Sequence, residues 1–207
     1  MPSPSRGLTQ PERVEISSRK LARAAAELII EKGWEATTAA EIGRRAGYSR
    51  AMVHARYGSK DAVLDAIFMR EYMAQLSPDL DPDANGLEHA LAHLDRIGQL
   101  AAEDPELLRA MFVAAFEAVK STSALRPRSV GQLVAGMQKV EAGLKKGISD
   151  GSVQPDVDVK RAVNDIGSAV YGIAYLWLVL SDGYDLKNEL KYLRVRLIRD
   201  YGSEPAR

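Results

Sequence analysis

The sequence contains no cysteine, which excludes disulfide scaffolds, thiolate zinc sites and cysteine nucleophiles. Aromatic residues make up only 6% of the chain, and the alternation that marks β-strands is nearly absent. The longest uninterrupted apolar run, residues 169–180, is too short to span a bilayer. We therefore expect a buried helix at this position, and a soluble, cytoplasmic protein that does not bind a membrane.

Charge of one sign is also lacking, since 28 Lys and Arg residues balance 28 Asp and Glu residues. The 207 residues are 46% hydrophobic and 27% charged, which is enough to fold around a sizeable core. Ala, Leu, Arg, Lys and Glu are abundant and favour helix, so the composition predicts an all-α protein. The polar, Pro- and Ser-rich residues 1–13 are expected to form a flexible arm rather than a secretory signal.

Three helices are predicted in the segment 14–58. The first covers about residues 14–32, where apolar residues at helical spacing form one stripe and a glycine follows as a stop. A capping box at Thr38 and Glu41 starts the second helix, and Ser49 caps the third. The residues expected to share one core are Leu21, Leu28, Ile42, Ala46, Val53 and Tyr57.

The second and third helices are joined by a short turn that contains glycine, and the longer first helix supports them. This order is the pattern of a helix-turn-helix domain. Pro and Gly breaks divide the remaining chain, 59–207, into a larger helical domain, which gives about nine helices in all. The further predicted helices cover 60–76, 87–103, 106–121, 127–149, 158–181 and 186–201.

Basic residues cluster in the helix-turn-helix segment, with no acidic residue between positions 44 and 60. Most runs of like charge are simply solvated helix faces, so the backbone geometry must decide what this one does. A local excess of positive charge in a neutral protein favours a surface for a polyanion. The five basic residues are Arg44, Arg45, Arg50, Arg56 and Lys60.

Helical geometry gives the third helix two distinct faces. If Val53 points inward, Ala51 and Ala55 point outward, at about 100° per residue. Arg50 and Arg56 then lie on the two shoulders of the outward face. Small residues at its centre let the backbone approach the floor of a DNA groove, while the long basic side chains reach phosphates or base edges.

Two stretches of this segment resemble the TetR (tetracycline repressor) family of bacterial regulators. They are AAELIIEKGWEATTAAEIGRRAG and the overlapping GYSRAMVHARYGSKDAVLDAIF. The resemblance is specific over about residues 14–65, and beyond it only the length and the number of helices are similar. It implies an all-helical homodimer with an N-terminal DNA-binding domain and a C-terminal domain that binds a small effector and dimerises through its last two helices.

The resemblance also implies, by motif position, which residues face DNA. His54 stands where the family often has tyrosine, and Arg56 where it commonly has histidine, so the operator sequence stays open. The implied DNA-facing residues are Thr38, Tyr48, Ser49, Arg50, Ala51, Met52, His54, Arg56 and Lys60.

The C-terminal half carries the residues predicted for dimerisation and for effector binding. The dimer interface is expected on the last two helices, at Ile166, Val170, Ile173, Leu190, Leu193 and Leu197. Seven apolar or aromatic residues could either pack in the core or line an effector pocket. They are Met111, Phe112, Phe116, Met137, Tyr171, Tyr175 and Trp177. Few charges lie among these candidates, so an apolar or aromatic effector is expected.

We therefore expect a ligand-responsive repressor that binds double-stranded DNA at a palindromic operator as a homodimer and is associated with the nucleoid when bound. The alternative is a DNA-binding protein of the same fold without a small effector, controlled by a protein partner or acting in chromosome organisation. An enzyme is not expected, because no catalytic triad or phosphate-binding glycine loop is evident. No cofactor or metal is expected either, since His89 and His93 share a helix face but lack a third ligand.

Overall fold

The computed structural model describes residues 9–63, 76–120, 122–180 and 183–203. Within these residues the regular structure is helical, apart from one isolated antiparallel bridge between Val153 and Gly202, and this confirms the all-α prediction. The helices of the described residues are α1 (Gln10–Lys32), α2 (Ala39–Arg45), α3 (Arg50–Tyr57), α4 (Lys60–Val63), α5 (Gly86–Glu103), α6 (Pro105–Glu117), α7 (Arg126–Asp150), α8 (Val159–Leu180) and α9 (Leu186–Tyr201).

Capping residues place most helix ends close to their predicted positions, but α1 begins earlier than predicted. Thr9 and Glu12 form a capping box of their own, in which Glu12 Oε2 accepts the Thr9 backbone N–H at 2.6 Å. The helix therefore starts at Gln10, inside the predicted arm. The predicted helix 60–76 is described only at its two ends. Residues 60–63 form α4, and residues 64–75 lie outside the described residues.

The chain divides into two compact units. The first comprises Met1–Gln75 together with Arg109–Ala124, so it contains the predicted DNA-binding segment and most of α6. The second comprises Leu76–Leu108 together with Leu125–Arg207.

The core of the first unit forms around the apolar stripe of α1. Leu21 and Ile29 of α1 are completely buried, and so are Ile42 of α2 and, at 1% exposure, Val53 of α3. Trp34, directly after α1, is also completely buried. Burial of one such side chain stabilises the fold by about 1.5–3 kcal/mol, so these contacts hold the short helices in place.

A carboxylate near the end of α6 fixes the loop that follows α1. Glu117 Oε2 accepts the Trp34 backbone N–H at 2.6 Å, and Glu117 Oε1 accepts the Glu35 N–H at 3.1 Å. In return, Glu35 Oε1 accepts the Ser123 hydroxyl at 2.9 Å. Glu117 therefore satisfies the two backbone N–H groups that follow the end of α1.

In the second unit, α5 packs mainly against α7, and glycines allow the two backbones to touch. A Cβ atom added at Gly86 would lie 1.9 Å from the backbone nitrogen of Gly147, so a larger residue cannot fit there. α9 also packs on α5, where Arg194 Nε donates to Asp95 Oδ1 at 2.7 Å. On the other side of α9, Tyr201 donates its hydroxyl to Asp165 of α8 at 2.9 Å.

The apolar run 169–180 is not the buried segment that the sequence predicted. Within it only Ala174 and Trp177 are buried, because the helix packs along one face and leaves the rest uncovered. By length and composition α8 would suit a membrane span, a test that the core helices of soluble proteins also meet. No other helix of the described residues meets it.

Candidate nucleic-acid interface

The capping box predicted at the start of α2 is present and carries an additional ion pair. The Thr38 hydroxyl oxygen accepts the Glu41 backbone N–H at 3.2 Å, and Glu41 Oε2 accepts the Thr38 N–H at 3.0 Å. Lys32 Nζ lies 2.6 Å from Glu41 Oε1. The hydrogen bonds from Lys32 and Thr38 lower the pKa of Glu41 to about 2, so the N-terminus of α2 is held by an ionised carboxylate.

The turn between α2 and α3 depends on a close approach at Gly43. A Cβ atom there would lie 2.7 Å from Cγ2 of Val53, the one described residue of α3 that is buried. The Ser49 hydroxyl oxygen accepts the Met52 backbone N–H at 3.2 Å and caps α3 as predicted. The tight contact therefore fixes how close α3 lies to α2.

The faces of α3 follow the predicted geometry. Val53 is 1% exposed and lies in the core. Ala51 and Ala55 are exposed, and so are Arg50 and His54 beside them. The outward face of α3 therefore consists of two methyl side chains flanked by an arginine and a histidine.

A shallow cleft of about 310 Å³ lies beside this face. It joins the start of α2 to α3 and the turn that follows α3, so one groove brings together groups from three segments of the chain. Its lining residues are Thr38, Ala39, Ala40, Arg50, Val53, His54, Gly58 and Ser59.

The structure sorts the basic cluster into free and paired cations. Arg45 makes an ion pair with Glu31. A second, longer pair joins Arg45 Nη1 to Glu27 Oε2 at 3.6 Å. Arg44 and Arg50 are exposed, and within the described residues neither side chain has a hydrogen bond or an ion pair. Of the five basic residues of the cluster, Arg45 is therefore the one whose charge acidic residues of α1 neutralise within the described residues.

Arg56 does not lie free on the shoulder of α3 as the helical geometry predicted. Its Nη1 donates to Ser17 Oγ at 2.5 Å, and its Nη2 donates to Ser18 Oγ at 2.9 Å and to the Val14 carbonyl oxygen at 3.2 Å. The guanidinium also lies 5.1 Å from the centroid of the Tyr57 ring. All these partners belong to the protein, so the side chain is used inside the domain.

The other residues implied to face DNA lie on or beside α3. Thr38 and Ser49 are exposed, whereas Tyr48 and Met52 are half-buried. Lys60 begins α4, and its side chain lies outside the described part of the chain.

The residues predicted to line an effector pocket divide between the two units. Met111 and Phe112 are buried in the first unit, and the Phe112 ring stacks on Phe116 with centroids 6.5 Å apart. In the second unit Trp177 is buried and Tyr175 is exposed. The remaining two, Met137 and Tyr171, are half-buried.

Four of the six residues predicted for the dimer interface lie instead in the core of the chain. Ile166, Leu190, Leu193 and Leu197 are buried, because these residues face the neighbouring helices of their own unit. The other two, Val170 and Ile173, are half-buried. The large apolar side chains that α8 and α9 expose are Tyr175, Leu176, Val179, Leu180, Tyr192, Val195 and Ile198.

The paired histidines of α5 have separate environments. His89 Nε2 lies 2.9 Å from the Asp81 carbonyl oxygen, while burial lowers the pKa of His93. Within the described residues, no three His, Asp or Glu side chains are placed to hold a metal ion.

Comparison with known proteins identifies the helix-turn-helix segment. Residues 21–67 match the family of bacterial regulatory proteins named tetR. The chain has no significant match among curated protein sequences. The predicted resemblance of this segment to the TetR family is therefore confirmed.

Solved structures share the fold over nearly the whole chain. The complex of SmeT with triclosan has a TM-score of 0.73 at 23% identity and covers 91% of this chain and 92% of its own. SmeT is the repressor of the Stenotrophomonas maltophilia efflux pump SmeDEF. Bacillus subtilis FadR with stearoyl-CoA has a TM-score of 0.70 at 21% identity and covers 87% of this chain and 97% of its own. These similarities extend the confirmed fold to both units.

Proposed function

We propose that this chain, whose residues 21–67 match the tetR family of bacterial regulatory proteins, is a ligand-responsive transcriptional repressor of the bacterial cytoplasm. It binds a palindromic operator as a homodimer, and an apolar or aromatic effector releases it. The observation that carries the proposal is the outward face of α3, where exposed Arg50 and His54 flank two alanines.

This face fits the major groove of DNA, which is wide enough for one α-helix. Ala51 and Ala55 do not extend far from the backbone, so the helix approaches the base edges closely. Arg50 has no competing partner within the described residues, and its guanidinium is therefore available for bidentate contact with guanine or phosphate. His54, one turn further on, reaches the same groove wall.

One copy of α3 makes too few contacts for specific binding, so a second copy is required. Two recognition helices about 34–36 Å apart read two half-sites separated by one turn of DNA. The seven exposed large apolar side chains of α8 and α9 support this arrangement, because large exposed apolar patches mark interaction sites in soluble proteins. Tyr192 and Val195 are 75% and 62% exposed, and we place both in the dimer interface.

The effector acts by favouring one of two dimer arrangements. A ligand reverses the occupancy of the operator from 99:1 to 1:99 only if it discriminates between the arrangements by about 5.5 kcal/mol. The complexes of SmeT with triclosan and of FadR with stearoyl-CoA support an apolar effector for this fold.

The proposal is tested by thermal unfolding with a panel of apolar compounds that includes triclosan, with choline as the polar control. A ligand at 100 times its Kd raises the free energy of unfolding by about 2.7 kcal/mol, which is readily seen as an increase in Tm. The same compounds must also release the protein from a fluorescent operator duplex. Stabilisation that leaves DNA binding unchanged would favour regulation by a protein partner instead.

A further inference from the structure

Little buried side-chain surface orients α3. The helix has only eight residues, and an isolated helix of this length is not stable in water. Of its residues only Val53 is buried, and Val53 packs against α2 at Gly43. The link from α3 to α1 must therefore come from other side chains.

Arg56 provides a link of this kind. Its guanidinium donates three hydrogen bonds, to Ser17 Oγ, Ser18 Oγ and the Val14 carbonyl oxygen, all in the first half of α1. The planar guanidinium has its donors in a fixed fork, so several bonds together set the direction of the side chain as well as its distance.

The partner hydroxyl on α1 is itself fixed in place. Ser17 is 7% exposed, and its hydroxyl donates to the Val14 carbonyl oxygen at 2.9 Å. With its hydrogen used in this way, Ser17 Oγ presents a lone pair to Arg56. Because Ser17 is buried, its own side chain offers almost no surface to DNA.

We infer that Arg56 is a positioning residue, which sets the angle of the recognition helix through Ser17 instead of contacting DNA. The inference rests on the proposed docking of α3 into the major groove. It adds that a buried serine of α1 contributes to DNA affinity without touching DNA. Binding geometry must be held to within about 0.5 Å, and a helix anchored only at Val53 would be free to tilt.

The test is a double-mutant cycle of Arg56→Ala and Ser17→Ala, measured by fluorescence anisotropy on an operator duplex recovered from random DNA. We expect Arg56→Ala to lower affinity about ten-fold and Ser17→Ala to lower it by a smaller factor, because the bonds of Arg56 to Ser18 and to the Val14 carbonyl oxygen remain. The double variant should bind like Arg56→Ala alone, because Ser17 acts through Arg56. Arg56→Lys should behave like Arg56→Ala, since an ammonium cannot replace the guanidinium fork. The salt dependence of binding should stay at the wild-type slope in all these variants.

The opposite pattern would overturn the inference. If Arg56 contacts phosphate, Arg56→Lys restores affinity, Arg56→Ala reduces the salt slope and Ser17→Ala binds like the wild type. Far-ultraviolet circular dichroism shows which variants are folded, and if Arg56→Ala is not, the Ser17→Ala and Arg56→Lys variants decide the matter. Arg50→Ala serves as the control for the docking itself, since wild-type affinity in that variant would contradict the proposed function and not only this inference.

Discussion

The Glu31 carboxylate accepts a hydrogen bond from each terminal nitrogen of Arg45. The distances are 2.5 Å from Nη1 to Oε1 and 2.9 Å from Nη2 to Oε2. These bonds also lower the pKa of Glu31, so the carboxylate stays ionised and neutralises the guanidinium. Arg50, five residues after Arg45 in the same basic cluster, carries no such partner within the described residues. The two arginines therefore have different roles, although the sequence presents them as one cluster.

Arg50→Ala should lower operator affinity, because each half-site loses one contact. Where that contact is to phosphate, the salt slope should also fall by about two per dimer. Arg45→Ala is the matched control, because it removes the same charge from the same cluster. The control should keep the wild-type slope and lose about 0.2–1 kcal/mol of stability, as expected for an exposed ion pair. Equal operator affinities for the two variants would contradict the assignment, and titrations at several salt concentrations provide the measurement.

Gly43→Ala should destabilise the protein by about 1–3 kcal/mol, because the added methyl group collides with buried Val53. Gly98→Ala provides the comparison, since a Cβ atom there meets no atom within 4 Å. In that helix interior, alanine should stabilise the fold by about 0.5–1 kcal/mol. Urea unfolding of both variants checks the opposite signs, and destabilisation by both would show that the contact at Gly43 is not the cause.

Val195→Glu should give folded monomers, because Val195 is exposed in the single chain and lies in the proposed interface. Leu193→Glu, two residues earlier on α9, should instead unfold the protein or make it aggregate, because Leu193 is buried. A charge buried without a partner costs several kcal/mol. Sedimentation velocity and circular dichroism distinguish these outcomes, and an intact dimer of Val195→Glu would remove this face from the interface.

The ion pair of Glu41 predicts a specific sensitivity to acid. Its folded pKa of about 2 lies below the ordinary value of 4.5, so its contribution to stability is present above pH 4.5 and is lost as the pH falls towards 2. Glu41→Gln retains a capping side chain but has no carboxylate to titrate. Across this pH range the wild type should therefore lose more thermal stability than the variant, and parallel losses would exclude the carboxylate as the source.

The fold was largely predictable because its signals are local. Glycine stops and the Thr38 capping box act within one helical turn, and they placed α2 and α3 correctly. The predicted start of α1 at about residue 14 is wrong, although Thr9 and Glu12 carry the same signal. The polar, Pro- and Ser-rich composition of residues 1–13 is typical of a flexible arm, but proline is also favoured in the first turn of a helix, where Pro11 lies.

Long-range partners could not be predicted, because helical periodicity does not say which helix a face meets. The leucine stripe of α9 was correctly recognised as apolar, but whether Leu193 faces its own chain or a second copy depends on where α5 and α8 lie. Likewise, the bond from Arg56 to Ser17 spans 39 residues, and no pattern in the sequence connects them. Periodicity identifies an apolar face, and only the structure identifies what covers it.

The account depends above all on α3 being presented twice to the major groove. Selection of bound duplexes from random DNA by the wild-type protein, with Arg50→Ala in parallel, tests this most directly. We predict a palindromic site with half-sites about 10 base pairs apart, and loss of enrichment in the variant. Recovery of a single asymmetric site, or of the same site with equal enrichment by both proteins, would contradict it.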